Sequence, residues 1–351
     1  MIKSNRSGNN KLRVLVTGGS GFLGKAIARE FLDAESPVEV QELRILDIRD
    51  YDGISDDRIH YLKGNICNYD NVSNACKEID IVIHTAAIVD WGTKSETEVY
   101  ATNFTGTQNV IRACKENKVS MLVYTSSLDA VITGSPLTDI DESQFYPEKH
   151  LNMYCLSKCL SEKLVLAENS ETLKTCVLRP SDIYGENDPF HMPPLIDMAK
   201  GGFYVRVGNG TAKSQHVYVR NMAWAHVLAA RALFEDNQKV CGNVYFVTDG
   251  PGDNFFRFFD EMVAASGYRI WPGNFWLPQR FTYFLGTVSE YMAKLIRPIK
   301  HYNPKLSRFA VMYICTDFTF NSEKARRDFG FTPKYSKEEA FKNTVDFFRK
   351  E

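Results

Sequence analysis

Val14-Leu15-Val16-Thr17-Gly18-Gly19-Ser20-Gly21-Phe22-Leu23-Gly24 is the stretch that decides how this chain folds. Aliphatic, β-branched residues run into a small polar one, and three glycines then recur as Gly18-x-x-Gly21-x-x-Gly24. Behind them Phe22, Leu23, Ala26, Ile27 and Phe31 fall on one side of a helix. The pattern reads as a buried strand, a tight turn and a helix start. Gly18 permits the turn, Gly21 lets backbone N–H groups approach a pyrophosphate, and Gly24 lets the helix pack on its strand. The helix N-terminus then faces the anion. An ordinary glycine-rich turn carries the same spacing, so the rest of the chain has to support the nucleotide reading.

Outward from that turn, strands and helices alternate. Leu43–Asp47 is a second strand that ends on a carboxylate, about twenty residues beyond Gly24. An acid there accepts hydrogen bonds from the adenosine ribose and repels a 2′-phosphate, which favours NAD. Arg49, two residues on, could hold that phosphate, so NADP stays open as the alternative. Arg58–Leu62 and Ile79–His84 are further strands, followed by Gly64-Asn65-Ile66 and by Thr85-Ala86-Ala87, whose small residues suit a cofactor passing beside the sheet. A helix carries Tyr100, Asn103, Gly106, Thr107 and Val110, and Met121–Thr125 is a strand with Ser126 and Ser127 at its C-terminal end. Thr175–Pro180 is a sixth strand, leading to Ile183-Tyr184-Gly185. The expected fold is α/β, a Rossmann-type doubly wound parallel sheet.

After residue 185 the pattern changes. Residues 186–216 and 250–310 are richer in Pro, Phe and Tyr, while His216–Val219 and Val244–Val247 read as short strands. The expected division is a frayed tail over 1–10, a dinucleotide-binding domain over 11–185 and a smaller substrate lobe over 186–351, interleaved with the last sheet strands. In the helix running to Leu166, Tyr154 and Lys158 stand four residues apart and share a face. An ammonium beside a phenol favours the phenolate, so the spacing predicts a lowered pKa and a general acid/base at Tyr154.

Composition sets limits. The 351 residues carry a formal net charge of −1, which gives no electrostatic argument for nucleic acid. The eight cysteines form no CxxC pair, and the seven histidines show no HxxxH or HxxH spacing. Reduced cysteines and no metal site are expected. The polar first ten residues hold no apolar run of a secretory signal, so a cytoplasmic protein is expected.

Taken in order, Thr17–Gly24, Asp47, Thr85-Ala86-Ala87, Asn103, Thr125-Ser126-Ser127, Tyr154-x-x-x-Lys158 and Arg179-Pro180-x-x-Ile183-Tyr184-Gly185 resemble an extended short-chain dehydrogenase/reductase. Ile88-Val89-Asp90, Val217–His226, Leu295–Pro298, Asp317–Ala325 and Asp328–Phe331 make the chain similar to the 3β-hydroxysteroid dehydrogenase/Δ5-isomerase family within that group. Sterol 4α-carboxylate dehydrogenases and β-hydroxy or β-keto acid reductases share most of these motifs.

The resemblance implies that Tyr154 exchanges the proton with the substrate oxygen and that Ser127 fixes that oxygen, with Ser126 as the alternative. It implies that Lys158 lowers the Tyr154 pKa and binds the nicotinamide ribose, and that Asn103 supports the Lys158 end of the relay. It assigns Gly18, Gly21, Phe22, Leu23, Gly24, Asp47, Asn65, Ile66, Thr85, Ala86, Ala87, Tyr154, Lys158 and Pro180 to the cofactor. Asn65 departs from the family's aspartate, although its amide oxygen can still accept from adenine. A homodimer is a further implication.

The expected reaction interconverts a secondary alcohol and a ketone on a small apolar substrate of 3β-hydroxysteroid or sterol type. Expected pocket liners are Val89, Trp91, Ile183, Tyr184, Phe190, Met192 and Pro193. A nucleotide-sugar epimerase or dehydratase is the remaining alternative. Over 271–298, Phe281, Phe284, Leu285, Val288, Met292, Leu295 and Ile296 fall at helical spacing, interrupted by charges. This stretch is expected to pack on the lobe or at a dimer contact, with peripheral contact to a membrane as the alternative.

Overall fold

Strand β1 (Leu12–Thr17) lies near the middle of the sheet because its side chains suit burial on both faces: Val14, Leu15 and Val16 are fully buried. The computed structural model describes residues 11–296 and 306–350. The tail at 1–10 and the Arg297-Pro298 end of the 271–298 stretch lie outside the described residues. The other strands of the main sheet are β2 (Val40–Asp47), β3 (Ile59–Lys63), β4 (Ile81–His84), β5 (Met121–Thr125), β6 (Lys174–Pro180) and β7 (Asn243–Val247). All neighbours run parallel, in the order β7-β6-β5-β4-β1-β2-β3. The chain reaches one edge at β3 and resumes at β4, on the far side of β1. The strand order therefore reverses between β1 and β4, where open α/β sheets hold ligands at the carboxyl ends of their strands.

Helices cover both faces. The helices that position the site are α1 (Phe22–Leu32), α2 (Gly106–Glu116), α3 (Met153–Ala167), α4 (Val219–Phe234) and α5 (Gln279–Ile296). One face packs Val14, Val16 and Ile45 against Ile27 and Phe31 of α1 and Met222 and Leu233 of α4. The other packs Leu15, Val82 and Leu122 against Val110 and Ile111 of α2 and Val165 of α3. Between Glu96–Tyr100 and α2, the turn Ala101–Thr105 is of π type, which widens the helix at Asn103.

The chain leaves the sheet at Pro180, builds further segments and returns at β7 to occupy its edge beside β6. Three short parallel pairs lie outside the main sheet: Asp182–Tyr184 with His216–Tyr218, Arg206–Val207 with Trp276–Leu277, and Leu137–Ile140 with Phe318–Phe320. The C-terminal segment is tied back to α1 through the fully buried Glu30. Arg220 and Lys334 reach its carboxylate at 3.1 and 3.0 Å, and the Tyr335 hydroxyl donates to it at 2.7 Å.

Helix α5 does not bury its apolar stripe on the lobe, so of the two packings expected of it the dimer contact is the one left open. Its inward face is made of Thr282, Gly286 and Ala293, while Phe281, Phe284, Val288, Tyr291 and Leu295 are exposed. Gly286 explains the inversion: a Cβ there would meet the backbone of Ser307 and Arg308 at 3.1 Å, so the helix lies close to the segment Arg308–Ile314 and turns its large side chains outward. No helix among the described residues is long and apolar enough to cross a membrane. The eight cysteines are all free thiols, and the described residues contain no cluster of three or more metal-ligating side chains.

Candidate active site

The glycine turn begins one end of a cleft of about 550 Å³ that runs over the carboxyl ends of the strands. Gly18 has φ +73°, and a Cβ there would meet Ala86 at 2.7 Å. A Cβ on Gly24 would lie 2.2 Å from the Gly18 carbonyl oxygen, so the first turn of α1 closes on the loop only without a side chain. Gly21 is the N-cap residue and no side chain caps the helix. Free N–H groups of the first turn, which have no acceptor within the helix, are thus available at the cleft wall formed by Gly21, Phe22 and Leu23. This cradle fits a dinucleotide pyrophosphate.

Asp47 stands at the end of β2. Its Oδ2 accepts from the Ser20 backbone N–H at 3.0 Å and its Oδ1 from that of Arg49 at 2.9 Å. The Arg49 side chain is 62% exposed and sits 3.4 Å from Asp47, with its guanidinium beside Gly21. This carboxylate and this guanidinium therefore meet at one corner of the cleft. Asn65 also lines the cleft, and its Oδ1 accepts from the Cys67 N–H at 2.9 Å, which fixes the amide in a local turn. Ile66, Thr85, Ala86, Ala87 and Pro180 complete this part of the wall.

At the inner end, Ser126 and Ser127 follow β5, and Tyr154 and Lys158 project from the first turns of α3. The Lys158 ammonium donates to the Thr125 carbonyl at 2.8 Å and stands 6.0 Å from the Tyr154 ring centroid. Burial lowers the Lys158 pKa to about 8 against the attraction of Asp129 and Glu162. Burial, and next the charge of Asp129, hold the Tyr154 phenol well above its ordinary pKa, while the Ser127 hydroxyl favours the phenolate. The spacing of Tyr154 and Lys158 brought the pair together as expected, but the lowered phenol pKa does not result. Desolvation, which spacing does not reveal, is the largest cause and raises it.

Asn103 does not line the cleft and does not reach the Lys158 ammonium. Its Nδ2 donates to the Ile88 carbonyl at 3.0 Å and to the Ser157 hydroxyl at 3.1 Å, and its Oδ1 accepts from the Ile88 N–H at 2.7 Å. It pins the loop after β4 to α3 from within. Of the expected pocket liners, Val89, Trp91, Ile183 and Phe190 face the cleft. Tyr184 and Met192 are core residues instead; Tyr184 packs edge-on to Phe258 at 4.9 Å and Met192 is fully buried. Pro193 is likewise absent from the wall.

Sequence reading passed over a group of cleft residues: Asp129, Asp182, His191, Phe309 and Tyr313. Ser127 donates to Asp129 at 2.5 Å, and Tyr313 donates to Asp182 at 2.7 Å. Burial raises the Asp129 pKa to about 6, and Asp182 is raised in the same direction by burial. His191 Nδ1 lies 3.1 Å from Asp188. Burial opposes the imidazolium, yet Asp188 and Asp182 together hold the His191 pKa above its ordinary value. The cleft thus combines a glycine turn with free helix N–H groups, the Asp47 carboxylate and a buried Ser–Tyr–Lys group with acidic residues beside it.

Comparison with known proteins accords with this arrangement. Residues 15–274 match the model of the 3-beta hydroxysteroid dehydrogenase/isomerase family. The chain is 33% identical to 3 beta-hydroxysteroid dehydrogenase type 7 of Mus musculus, over 95% of this chain and 94% of that protein. It is 34% identical to the Homo sapiens protein of the same name, over 95% of each. Among solved structures, dTDP-glucose 4,6-dehydratase (DesIV) from Streptomyces venezuelae with NAD and TYD bound superposes with a TM-score of 0.73. That match covers 96% of this chain and 97% of the other at 19% identity, a likeness of fold.

Proposed function

The chain belongs to the 3-beta hydroxysteroid dehydrogenase/isomerase family, and from that premise we propose that it is an NAD-dependent dehydrogenase acting on a secondary alcohol of an apolar, sterol-like substrate. The observation that carries the reading is the single cleft with the glycine cradle toward one end and buried Tyr154, Ser127 and Lys158 toward the other. NAD would be held by Gly18, Gly21, Phe22, Leu23 and Gly24 at its pyrophosphate, by Asp47 at its adenosine ribose and by Asn65 and Ile66 near adenine. Thr85, Ala86, Ala87, Pro180 and Lys158 would hold its nicotinamide half. When bound, the nicotinamide supplies the hydride chemistry.

The chain's own residues handle position and proton. Ser127 and Tyr154 would hold the substrate oxygen between their hydroxyls, and Tyr154, once ionised against burial and the charge of Asp129, would take its proton as the ketone forms. Lys158, anchored on the Thr125 carbonyl, brings positive charge to the phenol side of the site. Trp91, Phe190, Phe309 and Val89 supply apolar walls that exclude water.

The chemistry of the inner end favours this reading over three others. A sterol 4α-carboxylate, a β-hydroxy acid or a sugar nucleotide would bring negative charge toward Asp129, Asp182 and Asp188. Initial rates with NAD and NADP, measured on a 3β-hydroxysteroid, a sterol 4α-carboxylate, a β-hydroxy acid and a UDP-sugar, test the proposal. Turnover of the steroid with NAD, lost in Tyr154→Phe, is the expected result. Turnover of the acid or the sugar nucleotide alone would overturn the substrate class and leave the fold assignment intact.

Helix α5 fits an apolar substrate's source. Its exposed stripe is accompanied in sequence by Lys294, Arg297, Lys300 and Lys305, and residues 291–316 contain no acid, while Arg308 is paired with Glu290 at 2.7 Å. We propose that this face rests on an anionic lipid surface, beside the helix Arg308–Ile314 that brings Phe309 and Tyr313 to the cleft.

A further inference from the structure

The Ser127 hydroxyl makes two bonds to one neighbour. It donates to Asp129 Oδ2 at 2.5 Å, and its oxygen accepts from the Asp129 backbone N–H at 3.2 Å. A hydroxyl has one proton and two acceptor sites. While Asp129 is ionised, Ser127 therefore offers the cleft a lone pair and no proton, and a charge-assisted bond holds it so. Once Asp129 is protonated, the carboxyl O–H donates to Ser127 Oγ, and both acceptor sites are filled from Asp129. The Ser127 proton is then free to turn into the cleft, which both residues line. Burial lifts the Asp129 pKa to about 6, Asp182 acts in the same direction and Lys158 opposes both. Tyr154 and Cys155 of α3 and Tyr313 of the helix Arg308–Ile314 also feel the charge of Asp129.

We infer that Asp129 is a positioning residue that sets whether Ser127 donates or accepts at the substrate oxygen, so that a ketone binds together with a proton taken up by Asp129, whereas an alcohol needs none. The inference rests on the dehydrogenase reading for the place of that oxygen. An alcohol suits either state. It donates to the Ser127 lone pair when Asp129 is ionised, and it accepts the Ser127 proton when Asp129 is protonated. A ketone oxygen only accepts, so it meets a lone pair in the first state and a donor in the second. Ser127 is buried, so solvent is a poor substitute for the missing donor. The proton comes from solvent, resides on Asp129 Oδ2 and returns to solvent as the ketone leaves. It is separate from the proton that Tyr154 exchanges with the substrate.

The test compares a 3β-hydroxysteroid bound with NADH and its 3-ketone bound with NAD, two pairings in which no hydride can pass. Dissociation constants are measured on the full chain by quenching of tryptophan fluorescence, to which the cleft residue Trp91 contributes. From about pH 5 to about pH 8 the ketone is expected to lose about 10- to 100-fold in affinity relative to the alcohol. Asp129→Asn cannot ionise, and Ser127→Ala has no hydroxyl to turn. In both variants the ratio is expected to stay within about twofold over that range, with the circular dichroism spectrum of the wild type. Infrared difference spectra without steroid are expected to show the C=O band of a protonated carboxyl that fades as pH rises through about 6. That band is expected to be missing in Asp129→Asn and shifted in Ser127→Ala. A flat ratio in the wild type would overturn the inference. So would a slope kept in Asp129→Asn, which would assign the titration to another group, or a slope kept in Ser127→Ala, where Asp129 would act on the ligand directly. If neither steroid binds, the dehydrogenase reading falls while the infrared band still decides: a band unaltered by Ser127→Ala overturns the coupling of the two residues.

Discussion

The hydrogen bond of 2.5 Å from Ser127 to Asp129 places a carboxylate one residue away from the reacting atoms. Burial raises the Asp129 pKa from 3.8 to about 6, so its ionised form weakens the fold. The folded state binds the extra proton between about pH 4 and 6, and stability is lost as pH rises through that window. Asp129→Asn is expected to stabilise the chain by about 2 kcal/mol above pH 6, with no gain below about pH 4, measured by urea denaturation at both pH values. The same change removes the charge that opposes a Tyr154 phenolate. Tyr154→Phe is expected to lower kcat by about 10³-fold while NADH binding, read by its fluorescence, stays within about twofold. At the opposite end of the cleft Asp47→Ser would leave Arg49 unopposed, and the kcat/KM ratio of NAD to NADP is expected to fall by at least about tenfold. Gly18, Asp47, Tyr154 and Lys158 were legible in the sequence because each lies at a fixed offset along one strand, turn or helix. Asp129, Asp182, His191 and Tyr313 were not, since they come from four separate segments and share no spacing. Nor could spacing report desolvation, which reverses the expected pKa shift at Tyr154.

At the scale of the element, the strands were read nearly to their ends because parallel strands buried on both faces are continuous apolar runs. Leu137–Ile140 escaped notice: it is short, half exposed, and exists through its pairing with Phe318–Phe320 far along the chain. Helix α1 depends on the absence of a side chain at Gly24, where a Cβ would lie 2.2 Å from the Gly18 oxygen. Gly24→Ala is expected to cost about 1–3 kcal/mol and to weaken NADH binding at least tenfold, as the turn and helix move apart. Helix α5 showed the correct periodicity in sequence, but periodicity does not say which way an apolar stripe points. Small residues opposite the stripe, with Gly286 at their centre, decide it. Phe284→Glu together with Leu295→Glu is expected to abolish sedimentation with phosphatidylcholine–phosphatidylserine vesicles while steroid turnover in detergent persists. Sedimentation unchanged in the double variant, or a stripe covered by a second copy in size-exclusion chromatography, would overturn the lipid assignment.

For the molecule as a whole, the first helix and the C-terminal segment meet at Glu30. Arg220, Lys334 and Tyr335 converge on this fully buried carboxylate, joining α1, α4 and the C-terminal segment. Glu30→Ala would strand two largely enclosed cations, and a loss of about 3 kcal/mol in urea denaturation is expected. The pairing of distant segments was beyond reach in the sequence, although alternating strands and helices gave the layering. One further consequence lies in the placement of β7. That strand completes the sheet edge beside β6, yet more than sixty residues separate Pro180 from Asn243. During synthesis on the ribosome, the dinucleotide half therefore emerges with a row of unpaired β6 amides and carbonyls, and it stays open until the intervening segment has been made. A chain interrupted within 186–242 would carry every glycine and acid of the cofactor cradle and still present a bare strand edge to its neighbours. The order of translation thus couples the completion of the nucleotide-binding sheet to prior synthesis of part of the region that shapes the substrate end.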